Sequence, residues 1–119
     1  MFRRLAKSII VRDPPVTTEH TIFAEIEALL DDAADTPLAE LEHTLTAGYA
    51  AALELEAERW RLERRIKQVA VLLGDGSGRG KAQEIAGLAR RMNAADADLS
   101  RLRGMLGTLR EHAAAARAA

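Results

Sequence analysis

This sequence predicts an all-α fold, a short N-terminal helix followed by a long antiparallel coiled-coil helical hairpin, and three observations predict it. Apolar residues recur at alternating three- and four-residue steps through two long stretches. A tract with four glycines in seven residues, Gly74 to Gly80, separates them. Aromatics make up only 3% of 119 residues, so Ala and Leu supply the apolar content and can fill a thin helical seam but not a thick two-layer core.

The chain divides at Asp13-Pro14-Pro15, because proline lacks an N–H and pushes the residue before it out of helical geometry. Residues 1–17 form a basic segment and its Pro linker, and 18–119 form one helical domain. A first helix is expected over 18–33, capped by Thr17 or Thr18, with Ile22, Ile26, Leu29 and Ala33 on one face. Asp35-Thr36-Pro37 then ends it, with Thr36 as N-cap and Pro37 at the first position of a helix over 37–73. Along that helix Leu38, Leu41, Leu45, Gly48, Ala52, Leu55, Arg59, Leu62, Ile66, Val69 and Leu73 fall on alternating heptad positions, and nine of the eleven are apolar. The glycines of 74–80 supply a tight reversal. A last helix over 81–117 repeats the pattern from Ile85 and Leu88 through Leu106 and Leu109 to Ala116.

Charges flanking the seam favour one alignment of the two arms. With Leu62 facing Leu99, Leu55 facing Leu106 and Ala52 facing Leu109, the flanking pairs are Glu42 with Arg117, Glu56 with Arg103 and Arg65 with Asp98. All three attract, while Glu63 near Asp96 is the exception. Sliding by one heptad brings Glu56 towards Asp96, Glu58 towards Asp98 and Arg65 towards Arg91, which repel. In the favoured register Arg59 faces Leu102 and must lift its guanidinium out of the seam along its aliphatic stem.

The middle helix carries a second stripe, Tyr49, Leu53 and Trp60, on positions turned away from the last helix. The first helix is expected to fold back and lay Ile22, Phe23, Ile26 and Leu30 over it, with Ile22 near Tyr49. That geometry exhausts the helix around Leu53 and leaves Trp60 for residues 1–12, a second subunit or another protein. A slender chain with an alanine-rich seam buries little apolar area, and pairing two hairpins into a four-helix bundle as a homodimer is a common remedy.

No motif with catalytic spacing is present. The glycine tract fails the phosphate-loop pattern, because Asp75 stands at the first required glycine and Ala82 at the Ser or Thr position. It also fails G-x-G-x-x-G, since Arg79 or Lys81 falls at the last glycine. His20, His43 and His112 have no second ligand at helical spacing, and Cys is absent, which removes thiol and Cys-metal chemistry and suits a reducing cytoplasm. The expectation is a non-enzyme with no cofactor, no metal and no small-molecule substrate. The longest apolar run near the N-terminus, Ser8 to Val11, lies between Lys7 and Arg12, so neither a secretory leader nor a membrane span fits there.

Charge segregation is the most informative surface feature. Residues 1–12 hold Arg3, Arg4, Lys7 and Arg12 with no acid, residues 13–63 hold thirteen acids against two bases, and residues 64–119 hold eleven bases against five acids. The turn end of the hairpin gathers Arg64, Arg65, Lys67, Arg79, Lys81, Arg90 and Arg91 into a basic tip that can meet nucleic-acid phosphates or an acidic groove. Phe2, Leu5, Ile9 and Ile10 give the N-terminal segment the look of a docking peptide, for a partner's groove, a sheet edge or, weakly, an anionic membrane. The function expected is that of a cytoplasmic adaptor, scaffold or small assembly subunit, docking a protein through Phe2, Leu5, Ile9, Ile10, Tyr49, Leu53 and Trp60. A nucleic-acid-contacting finger is the alternative, and peripheral membrane attachment through residues 1–12 the second alternative.

Overall fold

The computed structural model describes residues 18–74 and 78–119, with side chains from Thr21 onward. The N-terminal segment with Phe2, Leu5, Ile9 and Ile10, the cap residue Thr17 and the centre of the glycine turn lie outside the described residues, as does the side chain of Thr18. Among those described, helix α1 spans Thr18–Asp31, a 3-10 turn Ala33–Asp35, helix α2 Leu38–Leu73 and helix α3 Gly78–Ala118, with no strand. The all-α hairpin stands as the sequence predicts. At 36 and 41 residues, α2 and α3 are rods roughly 54 and 60 Å long.

The α1–α2 connection differs in detail from the expected cap. Helix α1 stops at Asp31, and the chain tightens into 3-10 geometry, with Asp35 N–H donating to the Asp32 carbonyl at 3.1 Å. Thr36 does not cap α2. Its hydroxyl donates backwards to the Asp32 carbonyl at 2.8 Å. Pro37 takes the cap position, with φ −60° and ψ 145°, and its carbonyl accepts from Glu40 and Leu41 N–H. The residue before a proline is held extended, which turns the Thr36 side chain towards the preceding turn.

The register of the hairpin is one heptad away from the alignment the charges favour. Gly48 packs against Leu106, where a Cβ would collide with the Leu106 side chain and touch Ile26. Carried along the heptads, this places Leu41 opposite Ala113, Ala52 opposite Leu102, Arg59 opposite Ala95 and Leu62 opposite Met92. Small residues thus face large ones, which fills the seam to native density. The expected alignment sets Gly48 against Ala113 and Arg59 against Leu102, a void beside a clash. The turn shortens accordingly, since α3 begins at Gly78 and draws Gly78 and Gly80 into its first turn.

The repulsions expected of this register do not arise, because long side chains reach about a turn along the seam to opposite charges. Arg65 pairs with Glu84 at 2.8 Å rather than with Asp98, Arg91 with Glu58 at 3.2 Å, and Asp96 with Arg59. Glu42–Arg117 and Glu56–Arg103, both at 2.7 Å, form as expected although the arms are slid by a heptad, so these pairs do not discriminate between the alignments. Exposed pairs like these contribute a few tenths of a kcal/mol each, too little to outweigh a misfitted core layer.

The apolar interior falls into two clusters. At the base, Ile22, Phe23 and Ile26 of α1 close over Leu41, Leu45 and Leu55 of α2 and Leu102, Leu106 and Leu109 of α3. Towards the turn, Leu62, Val69 and Leu88 are buried with Ile66, Ile85 and Met92 packed around them, and among the described residues no third helix belongs to this cluster. Between the clusters sits Arg59, whose Nε is buried without a well-formed hydrogen bond.

Candidate protein-docking face

Helix α1 occupies the flank of the hairpin opposite the one expected for it. Ile22 and Phe23 are buried, Ile26 lies on Gly48, and Phe23 lies beneath the Arg101 guanidinium at 4.4 Å while Glu27 pairs with Arg101 at 3.4 Å. The seat on α2 is a run of small residues, with Thr44 and Ala51 buried and Ala47 partly so. Small side chains at three- and four-residue steps let a second helix approach closely, whereas the Tyr49 flank presents bulk. The expectation that α1 covers Tyr49 and Leu53 is therefore corrected. Thr44, Ala47 and Ala51 were the sequence signal for its true seat.

Tyr49, Leu53 and Trp60 consequently lie bare along one flank of α2, at 43%, 68% and 66% exposure. Val71, a residue the stripe did not include, is 75% exposed on the same face. Tyr49, Trp60 and Val71 follow each other at eleven-residue steps, three full turns of a straight helix, and that spacing could have found the last member. Arg64 stands over the Trp60 ring at 5.8 Å.

Beside this stripe runs a groove of about 460 Å³ between α2 and α3, floored by Ala52, Leu53, Leu106 and Gly107 and walled by Tyr49, Glu56, Arg103 and Arg110. Arg110 donates to the Tyr49 hydroxyl at 3.4 Å. Sequence reasoning passed over Gly107 and Arg110. The signal available was a glycine in the middle of a heptad helix, since a Cβ at Gly107 meets nothing within 4 Å and the chain's own packing does not require its absence.

The basic tip is partly neutralised. Arg65 pairs with Glu84, Lys67 with Glu63 at 3.4 Å, and Arg91 shares Glu58 with Arg61. Arg64, Arg79, Lys81 and Arg90 have no carboxylate partner among the described residues. On the α1 flank, an open hollow of about 440 Å³ carries both signs, with Glu54, Glu58 and Asp98 beside Arg61 and Arg91. His43 and His112 are exposed, and no cluster of three His, Asp or Glu among the described residues could hold a metal ion. No described helix is long and apolar enough to cross a membrane.

No protein-family model matches the chain, and no curated protein or solved structure is detectably similar to it. The functional reading therefore rests on the exposed flank itself.

Proposed function

We propose that this protein is a non-catalytic helical adaptor or small assembly subunit whose working surface is the Tyr49/Leu53/Trp60 flank of α2, with the N-terminal peptide as a second contact. The observation that carries the reading is the exposure of Leu53 and Trp60, two-thirds bare where most other large apolar side chains among the described residues are buried or partly covered. Scattered apolar residues on a surface are ordinary. A continuous stripe beside an apolar-floored groove, rimmed by Arg and Glu, is the anatomy of an interface core, where Trp, Tyr and Arg dominate binding energy.

The test is affinity isolation of the tagged protein from its native lysate, at low and high salt and with nuclease, comparing wild type with Trp60→Ala. A protein, self or other, retained through high salt and lost in the variant is the expected result. Retention of nucleic acid that disappears with salt, unaffected by Trp60→Ala, would overturn the reading in favour of the basic tip.

A further inference from the structure

We propose that the segment preceding α1 folds back on its own chain, with residues 9–16 seated in the hollow on the α1 flank of the arm and Arg12 held between Glu54 and Asp98. This seat lies opposite the Tyr49 stripe, so it goes beyond the docking reading and is tested apart from it.

The connection at 32–37 returns α1 antiparallel along α2, with Ile26 on Gly48. Both helices rise by about 1.5 Å per residue, so Thr18 comes level with Leu55 and Glu56. The hollow of about 440 Å³ opens at that level, between Glu54, Leu55 and Glu58 of α2 and Ala94, Ala95 and Asp98 of α3. Helix α1 therefore starts at the rim of the hollow, and the chain before Thr18 enters the helix from beside it. From Arg12 to Thr17 the backbone spans at most about 20 Å, at roughly 3.3 Å per residue. Arg12 is thus within reach of both walls.

The charges of the hollow differ between its two ends. Glu54 stands on one wall and Asp98 on the other, and neither has a Lys or Arg partner among the described residues. Further towards the turn, Glu58 is shared by Arg61 and Arg91. The end nearest α1 is acidic and uncompensated, while the far end is satisfied. Before α1 the chain carries Arg3, Arg4, Lys7 and Arg12 against the single acid Asp13, and Arg12 is the base closest to the hollow. A guanidinium between two facing carboxylates relieves their repulsion and makes charge-assisted hydrogen bonds to each.

The floor suits what flanks Arg12. Leu55, Ala57, Ala94 and Ala95 leave it apolar and shallow, so that Ile10 and Val11 can lie close, as α1 does over Thr44, Ala47 and Ala51. Tethering selects this occupant over a free peptide or a second copy. A segment joined at the rim is present at an effective concentration on the order of millimolar, so a modest fit fills the hollow. A partner that takes the N-terminal segment as its second contact must first draw it from this seat.

The chain has no cysteine, so thiol pairs can be placed at will. The experiment compares disulfide closure in two full-length double variants held in a glutathione buffer. One carries Val11→Cys with Ala94→Cys in the hollow, and the other Val11→Cys with Leu53→Cys on the opposite flank. Ala94 and Leu53 are both exposed, and helical circular dichroism is expected to be the same in the two proteins. Expected is intramolecular closure about tenfold faster for the Ala94 pair, the ratio given by a seat worth about 1.4 kcal/mol. Adding Glu54→Gln and Asp98→Asn should reduce that preference several-fold.

Equal rates for the two pairs overturn the proposal, and faster closure to Leu53 overturns it in favour of the Tyr49 flank. Disulfide-linked dimers as the main product of the Ala94 pair also overturn it, since the occupant is then the segment of a second copy. A preference that persists undiminished without the two carboxylates overturns the seat assigned to Arg12. The docking reading is judged by Trp60→Ala and not by these pairs, so either can fail alone.

Discussion

The base and the arm of this hairpin are built from the same heptad, yet among the described residues only the base is a three-helix structure. At the base, α1 closes the interior, and Ile26, Leu41, Leu102 and Leu109 are wholly removed from solvent. In the arm, two helices share Leu62, Val69 and Leu88 with a half-buried surround. A two-helix pair has one contact line, so Val69 is wholly buried but Ile66, Ile85 and Met92 around it keep an edge to water, and apolar burial per residue falls. The comparison teaches that a regular heptad sets where two helices touch but not how well they are held. That depends on the third element, which here stops short of Arg59.

The largest effect that sharpens this contrast is expected at Leu102. Leu102→Ala removes a fully buried side chain at the junction of three helices and leaves a cavity, and we expect a loss of about 2–5 kcal/mol in urea unfolding. An effect below about 1 kcal/mol would mean the base is no better packed than the arm. Next comes Gly48→Val, which forces branched carbon atoms into the space taken by Leu106 and Ile26. Overpacking of this kind costs about 1–3 kcal/mol. Gly104→Ala is its control, since a Cβ there meets nothing, and it should stabilise by up to about 1 kcal/mol through helix propensity alone.

The arm responds differently. Val69→Ala deletes two methyl groups from a fully buried site, worth about 1.6 kcal/mol at roughly 0.8 kcal/mol per carbon. In hydrogen exchange the loss should be confined to amides of 62–73 and 81–92, with the base unchanged, because the arm opens as a local unit. Equal acceleration in both regions would show one cooperative unit and dissolve the distinction.

Most of this architecture was legible in the sequence, and the parts that were not share a physical cause. The three helices, the turn and the Tyr49/Leu53/Trp60 stripe follow from periodicity and from proline and glycine, which act locally. The register was read from charge, and charge is a weak discriminator when Arg and Glu side chains span a full turn. Arg103 is matched with Glu56 by the charge-favoured alignment and still reaches it with the arms slid by a heptad. Side-chain volume decides it, through Gly48 opposite Leu106 and Ala95 opposite Arg59, and those complementarities are visible only when both arms are compared layer by layer. The seat of α1 was missed for a related reason. Hydrophobicity marked the Tyr49 flank as needing cover, while closeness of approach favoured Thr44, Ala47 and Ala51.

Arg59 divides the two regions, and its substitution is the smallest of the expected effects but the one that tests the division directly. The side chain crosses the seam with its Nε buried against the Asp96 carboxylate, while the guanidinium side chain is 39% and Asp96 45% exposed. Desolvating a guanidinium is unfavourable, and a half-exposed partner returns little of it, so replacement by an apolar residue of similar length should be neutral or stabilising. Arg59→Leu is therefore expected to raise stability by up to about 1 kcal/mol, and Asp96 can turn to water without penalty. The more telling readout is coupling. A leucine at this layer joins the base cluster to the Leu62 cluster, so the double variant with Val69→Ala should lose protection in the base as well as in the arm. If the arm still opens alone, the boundary is set by where α1 ends and not by the charge in the seam.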